Sequence, residues 1–296
     1  MNLFQSIDPA YVFSGFCVGS LVGLTGVGGG SLMTPVLILV FGLHPVAAVG
    51  TDLLYAAATK TIATVVHGLG GTIDWKIVAR LASGSLPSTA LTVWILSHFD
   101  IGGSQARRVI SFLLGAALLA TAITIVLRPW LIARLGVRTE PSSGRWTPTL
   151  TVLTGVALGV LVSLTSVGGG ALGVTALVLL YPSVPLARII GSDIAHAAPL
   201  TLVAGVGHWI AGTVIGTILL SLLVGSPPGV IAGSRAAGWV PERGLRLTLA
   251  TVLTIVGASW RSEARAKTVW PLGRPYRRSA TTALPPRPRV QLSLSY

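Results

Sequence analysis

The sequence predicts an all-α polytopic membrane protein made of two internal repeats, each a glycine-broken helical segment followed by three transmembrane helices. Three observations predict it. The 296 residues are 52% hydrophobic and 10% charged, with a mean hydropathy of +0.79, whereas a soluble domain carries about 25% charged residues. The apolar stretches reach the roughly twenty residues that a membrane span requires. Eleven residues in twenty recur when residues 21–40 are laid on residues 161–180, and each copy holds a triple glycine, Gly28-Gly29-Gly30 and Gly168-Gly169-Gly170. Glycine is the weakest helix former short of proline. Two long apolar segments interrupted at matching places are the sequence mark of a transporter site built on discontinuous helices.

Taken in order, Ala10–Leu43 is the first broken segment, with Pro35 and Gly42 in its second part. Pro45–Leu69 is an apolar stretch that contains Asp52, Lys60 and His67. Gly70–Asp74 is a turn, and Ile77–Ser97 spans, with Gly84 and Pro87 inside it. His98–Arg108 is a polar loop, and Val109–Leu127 spans up to Arg128-Pro129. The pattern then restarts. Leu150–Tyr181 is the second broken segment, Pro185–Ala211 carries Asp193, His196 and His208, and Val214–Ala237 spans. Leu247–Trp260 begins a last, short helix. The expected division is a first transmembrane repeat over 1–130, a connecting loop over 131–147, a second repeat over 148–260 and a tail over 261–296. At an offset of 140, then 141 after one inserted residue, further pairs match: Gly15/Gly155, Pro45/Pro185, Gly50/Gly191, Thr51/Ser192, Asp52/Asp193, His67/His208, Gly71/Gly212, Gly84/Gly225 and Pro87/Pro228.

The formal charge is +13, of which the tail from Arg261 supplies +7. That tail is rich in Pro and Arg and lacks apolar periodicity, so it is expected to be disordered or to touch anionic lipid headgroups. Met1–Pro9 has no positive charge before the apolar run, so no cleavable signal peptide is expected. A single cysteine, Cys17, excludes a disulfide framework. No Gly-Lys-Ser/Thr follows either triple glycine, which excludes a phosphate loop. No cofactor, resident metal, nucleic-acid partner or enzymatic activity is expected. The expected partners are the lipid bilayer and a small anionic substrate.

An ionisable side chain at membrane depth costs a few kcal/mol and normally faces the bundle interior. At about 100° per residue, Lys60 and His67 fall about 20° apart on one helix face, and Asp52 about 60° from His67. Asp52 and Asp193 read as interior groups or as caps of helix starts, because Gly-Thr-Asp and Gly-Ser-Asp resemble start signals. Lys60 has Thr201 in its place in the second half. It reads as the counter-charge to a substrate or as a partner of Asp52. His67 and His208 read as proton carriers or as packing histidines.

Each glycine break reads either as a place of close helix approach or as an anion site. In the second reading, a half-helix N-terminus presents backbone N–H groups and the positive end of its dipole. Thr25, Ser31, Thr165 and Ser166 add hydroxyls beside the breaks. The expected substrate-binding set is therefore Thr25, Gly28, Gly29, Gly30, Ser31, Thr51, Asp52, Lys60, Thr165, Ser166, Gly168, Gly169, Gly170, Ser192 and Asp193, with His67 and His208 as candidates for proton coupling.

The paired Thr-x-Val-Gly-Gly-Gly breaks, Gly50-Thr51-Asp52, Gly191-Ser192-Asp193 and Gly84/Gly225 resemble the sulfite exporter TauE/SafE family of membrane permeases over residues 11–258. The resemblance implies transport of sulfite, sulfonates or related organic anions across the inner membrane. A cation or metal-ion transporter using Asp52 and Asp193 is the alternative. A membrane-embedded metal enzyme using His67, His196 and His208 is weaker, since no two histidines show i, i+4 spacing.

Charge counting predicts the topology. If each broken segment crosses once, the basic residues divide evenly between the two sides. If each turns back at its glycines, Lys76, Arg80, Arg128, Arg134, Arg138, Arg145, Arg188, Arg235, Arg243 and Arg246 share one side, against Arg107 and Arg108. The positive-inside rule favours the second arrangement. It makes the halves inverted repeats, with both termini outside and the 131–147 loop cytoplasmic.

Overall fold

The computed structural model describes residues 7–25, 30–98, 104–135 and 146–236, together with Thr251 and Thr254. Among these residues the chain is all helix and turn, with no strand: α1 (Pro9–Thr25), α2 (Gly30–Leu39), α3 (Pro45–Leu69), α4 (Trp75–His98), α5 (Ser104–Leu135), α6 (Thr147–Thr165), α7 (Ala171–Leu180), α8 (Leu186–Ile210) and α9 (Gly216–Ala236). The protein is a multi-pass membrane protein. Val109–Leu127, Thr147–Thr165, Leu186–Ile210 and Gly216–Gly233 are long and apolar enough to cross a bilayer. The 136–145 segment and the 261–296 tail lie outside the described residues.

Local chemistry sets the boundaries. Pro45 opens α3 and Pro185 stands just before α8, where a missing N–H leaves no helical bond unmade. Both helices end alike: Gly71 and Gly212 take φ of 65° and 70°, a left-handed conformation that favours glycine. Thr72 then donates its N–H to the His67 carbonyl and Thr213 donates its N–H to the His208 carbonyl. Pro87 lies inside α4, and Pro227 and Pro228 inside α9, as neighbouring helices in a bilayer permit. One boundary differs from the sequence expectation. α5 runs on to Leu135 rather than stopping at Arg128-Pro129, because Leu131-Ile132-Ala133-Arg134-Leu135 is strongly helix-forming.

The helices pack through glycine notches. A Cβ on Gly84 would run into the Val152 carbonyl of α6, one on Gly155 into the Leu81 carbonyl, and one on Gly159 into Ser85 and Ser88, so α4 and α6 lie backbone to backbone and run parallel. α1 and α9 repeat the scheme: Gly225 meets Val12, Gly15 meets the Leu222 carbonyl and Gly19 meets Ser226. Small residues at such crossings let backbones approach closely in lipid, where packing rather than the hydrophobic effect drives association.

At the centre, α3 and α8 cross antiparallel. Gly50 of α3 abuts His208, Leu54 fills the notch at Gly205, and Thr72 beyond the end of α3 covers Gly191 near the start of α8. Two hydrogen bonds fasten the crossing at its two ends. Ile215 N–H donates to Thr51 Oγ1 (3.1 Å), and Asp74 N–H donates to Ser192 Oγ (2.8 Å).

These directions fix the path of the broken segments. Ser85 meets His196 and Val93 meets Gly207, so α4 runs parallel to α8 and antiparallel to α3. Thr51 and Tyr55 of α3 meet Ile215 and Ser226, just before and within α9, in the same order, so α3 runs with α9, and α1 also runs with α9. α1 and α3 thus point the same way, with α2 running back between them. Likewise Thr151 of α6 meets Tyr181 beyond the end of α7, so α6 and α7 form a hairpin. α2 and α7 have ten residues each, about 15 Å, or half of a hydrocarbon core.

Gly84→Val and Gly225→Val should each lower the stability of the solubilised protein by roughly 1–3 kcal/mol, the usual cost of overpacking. Thermal melting in detergent measures it, with Gly68→Ala, whose Cβ meets only a side-chain methyl at 3.7 Å, as the tolerated control.

Candidate functional site

The second break spans Ser166–Gly170, between α6 and α7, and its residues are buried. α6 ends at Ser166, which adopts φ 57° and is the one non-glycine residue with positive φ among those described. Gly168, at φ 115°, continues the turn in a conformation that an L side chain resists. The turn is closed from within. Val167 N–H donates to Thr165 Oγ1 (3.1 Å), Gly170 N–H donates to the Gly168 carbonyl (2.8 Å), and Gly173 N–H donates to the same carbonyl (3.1 Å). α7 then begins at Ala171, and its first-turn N–H groups point back toward the break.

The middles of α3 and α8 flank this turn. Lys60, 4% exposed, donates from Nζ to the Gly169 carbonyl at 3.3 Å. Ala197 of α8 and Val162 of α6 lie beside the same Cβ position of Gly169 as Lys60 Nζ. Asp52 and Asp193 are both fully buried. Asp52 Oδ2 accepts from the Thr34 backbone N–H (3.1 Å) and from the Thr34 hydroxyl, which ties α3 to α2. Ser166 Oγ lies close enough to Asp52 to interact with it, although neither Ser166 Oγ nor Asp52 Oδ1 has a hydrogen bond of good geometry. Asp193 lies against α7, where a Cβ on Gly173 would overlap its Oδ1. Lys60 is within electrostatic reach of Asp193 first and Asp52 second.

Two sequence expectations change here. Asp52 and Asp193 are not caps, because α3 begins at Pro45 and α8 at Leu186; both sit inside their helices. Close backbone approach is not a property of Gly169, which has ordinary room for a Cβ, 3.4 Å from Lys60 Nζ and 3.6 Å from the next atoms. The tight contact nearby is at Gly173, where the Asp193 side-chain carboxylate takes the place of a Cβ.

The remaining expected residues fall in three places. Thr51 and Ser192 dock the turn of the opposite half, and Thr165 braces the break. His67 and His208 are each held by the threonine five positions on. Thr72 Oγ1 donates to the His67 carbonyl (3.0 Å) and lies 2.9 Å from His67 Nδ1. Thr213 Oγ1 does the same for His208 at 2.9 and 3.1 Å, and His208 Nε2 also meets the Ser163 carbonyl at 3.0 Å. Gly28 and Gly29 lie outside the described residues, as do the side chains of Thr25 and Ser31 and the surroundings of Gly30.

The structure adds partnerships that the sequence reading missed. His196 Nε2 bonds Ser85 Oγ at 2.8 Å, and Tyr55 Oη bonds Ser226 Oγ at 3.0 Å. At the offset of 141 these are the same pair twice, Tyr55/His196 and Ser226/Ser85, and the repeat itself was the signal that could have found them. Thr34 had no such signal, since Val174 takes its place in the second half.

A cavity of about 300 Å³ opens between α3 and α9, with Lys60 at its depth and His67 towards the end of α3. At the matching place in the other half there is contact instead: Gly207, the counterpart of Val66, seats the Val93 side chain, and Gly205 seats Leu54. Among the described residues no three His, Cys, Asp or Glu side chains converge as a metal would require.

Comparison with known proteins agrees in kind. A family model described as "Sulfite exporter TauE/SafE" matches residues 11–260. The probable membrane transporter protein YjnA of Bacillus subtilis is 38% identical over 256 residues, covering 85% of this chain and 98% of its own. The probable membrane transporter protein YdhB of the same organism is 24% identical over 82% of this chain and 95% of its own. A probable membrane transporter protein of Methanocaldococcus jannaschii is 25% identical over 86% of this chain and 95% of its own. No solved structure matches the chain.

Gly173→Ala should displace the Asp193 carboxylate and reduce transport by roughly tenfold or more, about 1.4 kcal/mol, while Gly169→Ala keeps most of it. Flux per inserted protein in proteoliposomes compares the two.

Proposed function

Because the chain belongs to the sulfite exporter TauE/SafE family and is a membrane transporter rather than an enzyme, we propose that it is a secondary permease for a small sulfur-containing anion such as sulfite or a sulfonate, moved across the inner membrane. The observation that carries this reading is Lys60. A lone ammonium placed mid-helix and bonded to the backbone of a helix break stands where an anion would find a fixed positive charge and the N-terminus of α7 together. In the described cluster that ammonium is set against Asp193 and Asp52, and a substrate anion competes with those carboxylates for it. The binding set under this proposal centres on Lys60, Ser166, Gly168, Gly169, Gly170, Asp52 and Asp193.

The charge balance supports proton coupling. With Asp52 and Asp193 against Lys60, the described cluster has a net charge of −1 when all three are ionised. Bringing in an anion without a compensating cation works against Coulomb's law in a medium of low dielectric. A proton taken up on one carboxylate restores the balance, so the anion and the proton travel together.

The proposal extends to mechanism. Repeats over 1–130 and 148–260, joined by 131–147 and followed by the 261–296 tail, form inverted halves that rock about the crossing of α3 and α8. What supports inversion is that equivalent helices run antiparallel, as α3 and α8 do. Lys76, Arg80, Arg188 and Arg235 fall at one end of the bundle, where Arg80 Nη1 donates to the Tyr181 hydroxyl at 3.2 Å. What supports rocking is the difference between the open α3/α9 side and the closed α4/α8 side.

Two experiments test this. Purified full-length protein in liposomes should accumulate labelled sulfite or methanesulfonate under an inwardly directed proton gradient, and Asp193→Asn should cut that gradient-driven accumulation by roughly tenfold, about 1.4 kcal/mol. Uptake of a divalent cation in place of any anion would instead support the use of Asp52 and Asp193 as cation ligands. In a Cys17→Ser background, Ser104→Cys should react with an impermeant maleimide in intact cells and Ser142→Cys should not; the opposite pattern would sink the inverted topology.

A further inference from the structure

The cavity beside Lys60 says more about the substrate than its charge. It lies chiefly between α3 and α9 and has a volume of about 300 Å³. Its polar lining among fourteen residues is limited to Thr59, Lys60, His67 and Ser226. Ser226 Oγ already receives the Tyr55 hydroxyl, Thr59 Oγ1 already donates to the carbonyls of its own helix, and His67 Nδ1 is engaged with Thr72. The rest of the wall is Val, Ala, Ile, Leu and Pro. At its mouth stand Ile62, Val66 and Ile231, each more than half exposed, as side chains in contact with lipid are.

A three- or four-oxygen inorganic anion displaces roughly two waters' worth of volume, on the order of 60 Å³. It would leave most of this space unfilled. It would also exchange its hydration for walls with almost no donors, which is unfavourable for any ion. A cavity of this size and polarity, with one cation at one end, has the make-up of a site for a molecule that is mostly apolar and charged at one point.

Resting on the permease reading above, we propose that the site takes organic monoanions with an apolar body of about six to ten carbons, a sulfonate or carboxylate head at Lys60 and the body along α3 and α9 towards Ile62 and Val66. The head group meets the Lys60 ammonium in competition with Asp193 and Asp52. The body fills the apolar lining, and each methylene it buries strengthens binding by roughly fourfold. The mouth between Ile62, Val66 and Ile231 lets such a molecule enter with its tail still among lipid chains.

A chain-length series tests this: methane-, butane-, hexane- and octane-1-sulfonate, with sulfite, are titrated calorimetrically against the full chain in lipid nanodiscs. Empty nanodiscs and Lys60→Met nanodiscs subtract partitioning into the bilayer. Affinity should rise by roughly fourfold per methylene until the cavity is full, and hexanesulfonate should bind at least about a hundredfold more tightly than sulfite. Ala63→Phe, which fills the cavity, should lower the ratio of hexanesulfonate to methanesulfonate affinity by roughly tenfold or more. Binding that is flat with length, or tightest for sulfite, overturns the inference and leaves the anion permease standing. Binding of none of the five anions overturns both.

Discussion

Backbone groups in a bilayer must be satisfied within the protein, because lipid offers no partners. The Ser166–Gly170 turn violates the helical solution to that constraint in the middle of the bundle, and much of the structure exists to make the violation tolerable. The turn folds its own N–H groups onto Thr165 Oγ1 and the Gly168 carbonyl. Lys60 takes the Gly169 carbonyl. α3 and α8 seal it on both sides, and they can come this close because Gly50, Gly191 and Gly205 remove side chains from their crossing. The group left over, the hydroxyl of Ser166, lies close to Asp52 of the charged cluster. Binding capacity here is what remains after the backbone has been provided for.

The charges obey the same logic. An aspartate or lysine at the centre of a membrane helix costs about 3 kcal/mol even on the insertion scale. Asp52 offsets that by holding Thr34 twice, so it also fixes α2 to α3. Asp193 and Lys60 lie within electrostatic reach of one another. The carboxylates are thus structural and electrostatic at once, and removing one is not a purely functional change.

Much of this was legible in the chain. Composition gave the membrane class, and the repeated triple glycines gave the breaks. The offset of 140 to 141 also predicted equivalent ends for α3 and α8, which Gly71 and Gly212 supply in the same left-handed conformation. The face shared by Lys60 and His67 is the lining of one cavity. What escaped was partnership across helices. Nothing in the spacing of Thr51 or Ser192 says that their hydroxyls receive N–H groups from the opposite half. Nothing local marks Gly173 as the residue that makes room for Asp193. Three-dimensional neighbours on different helices leave no periodic trace. The cap reading of Asp52 failed for a related reason, since Pro45 already starts that helix.

The pairs at which the two halves differ have a thermodynamic meaning. A body built from two identical, oppositely oriented halves has two mirror states of equal free energy, and it spends half its time in each. If the halves are inverted as proposed, Lys60 against Thr201, Tyr55 against His196 and Thr34 against Val174 break that degeneracy. Each is a term in the energy gap between the two states, and a gap of 1.4 kcal/mol already sets populations about ten to one. Under the inverted-repeat proposal, the resting orientation of the molecule, and hence the side of the membrane from which it is most readily loaded, is set by the positions where the duplication is imperfect.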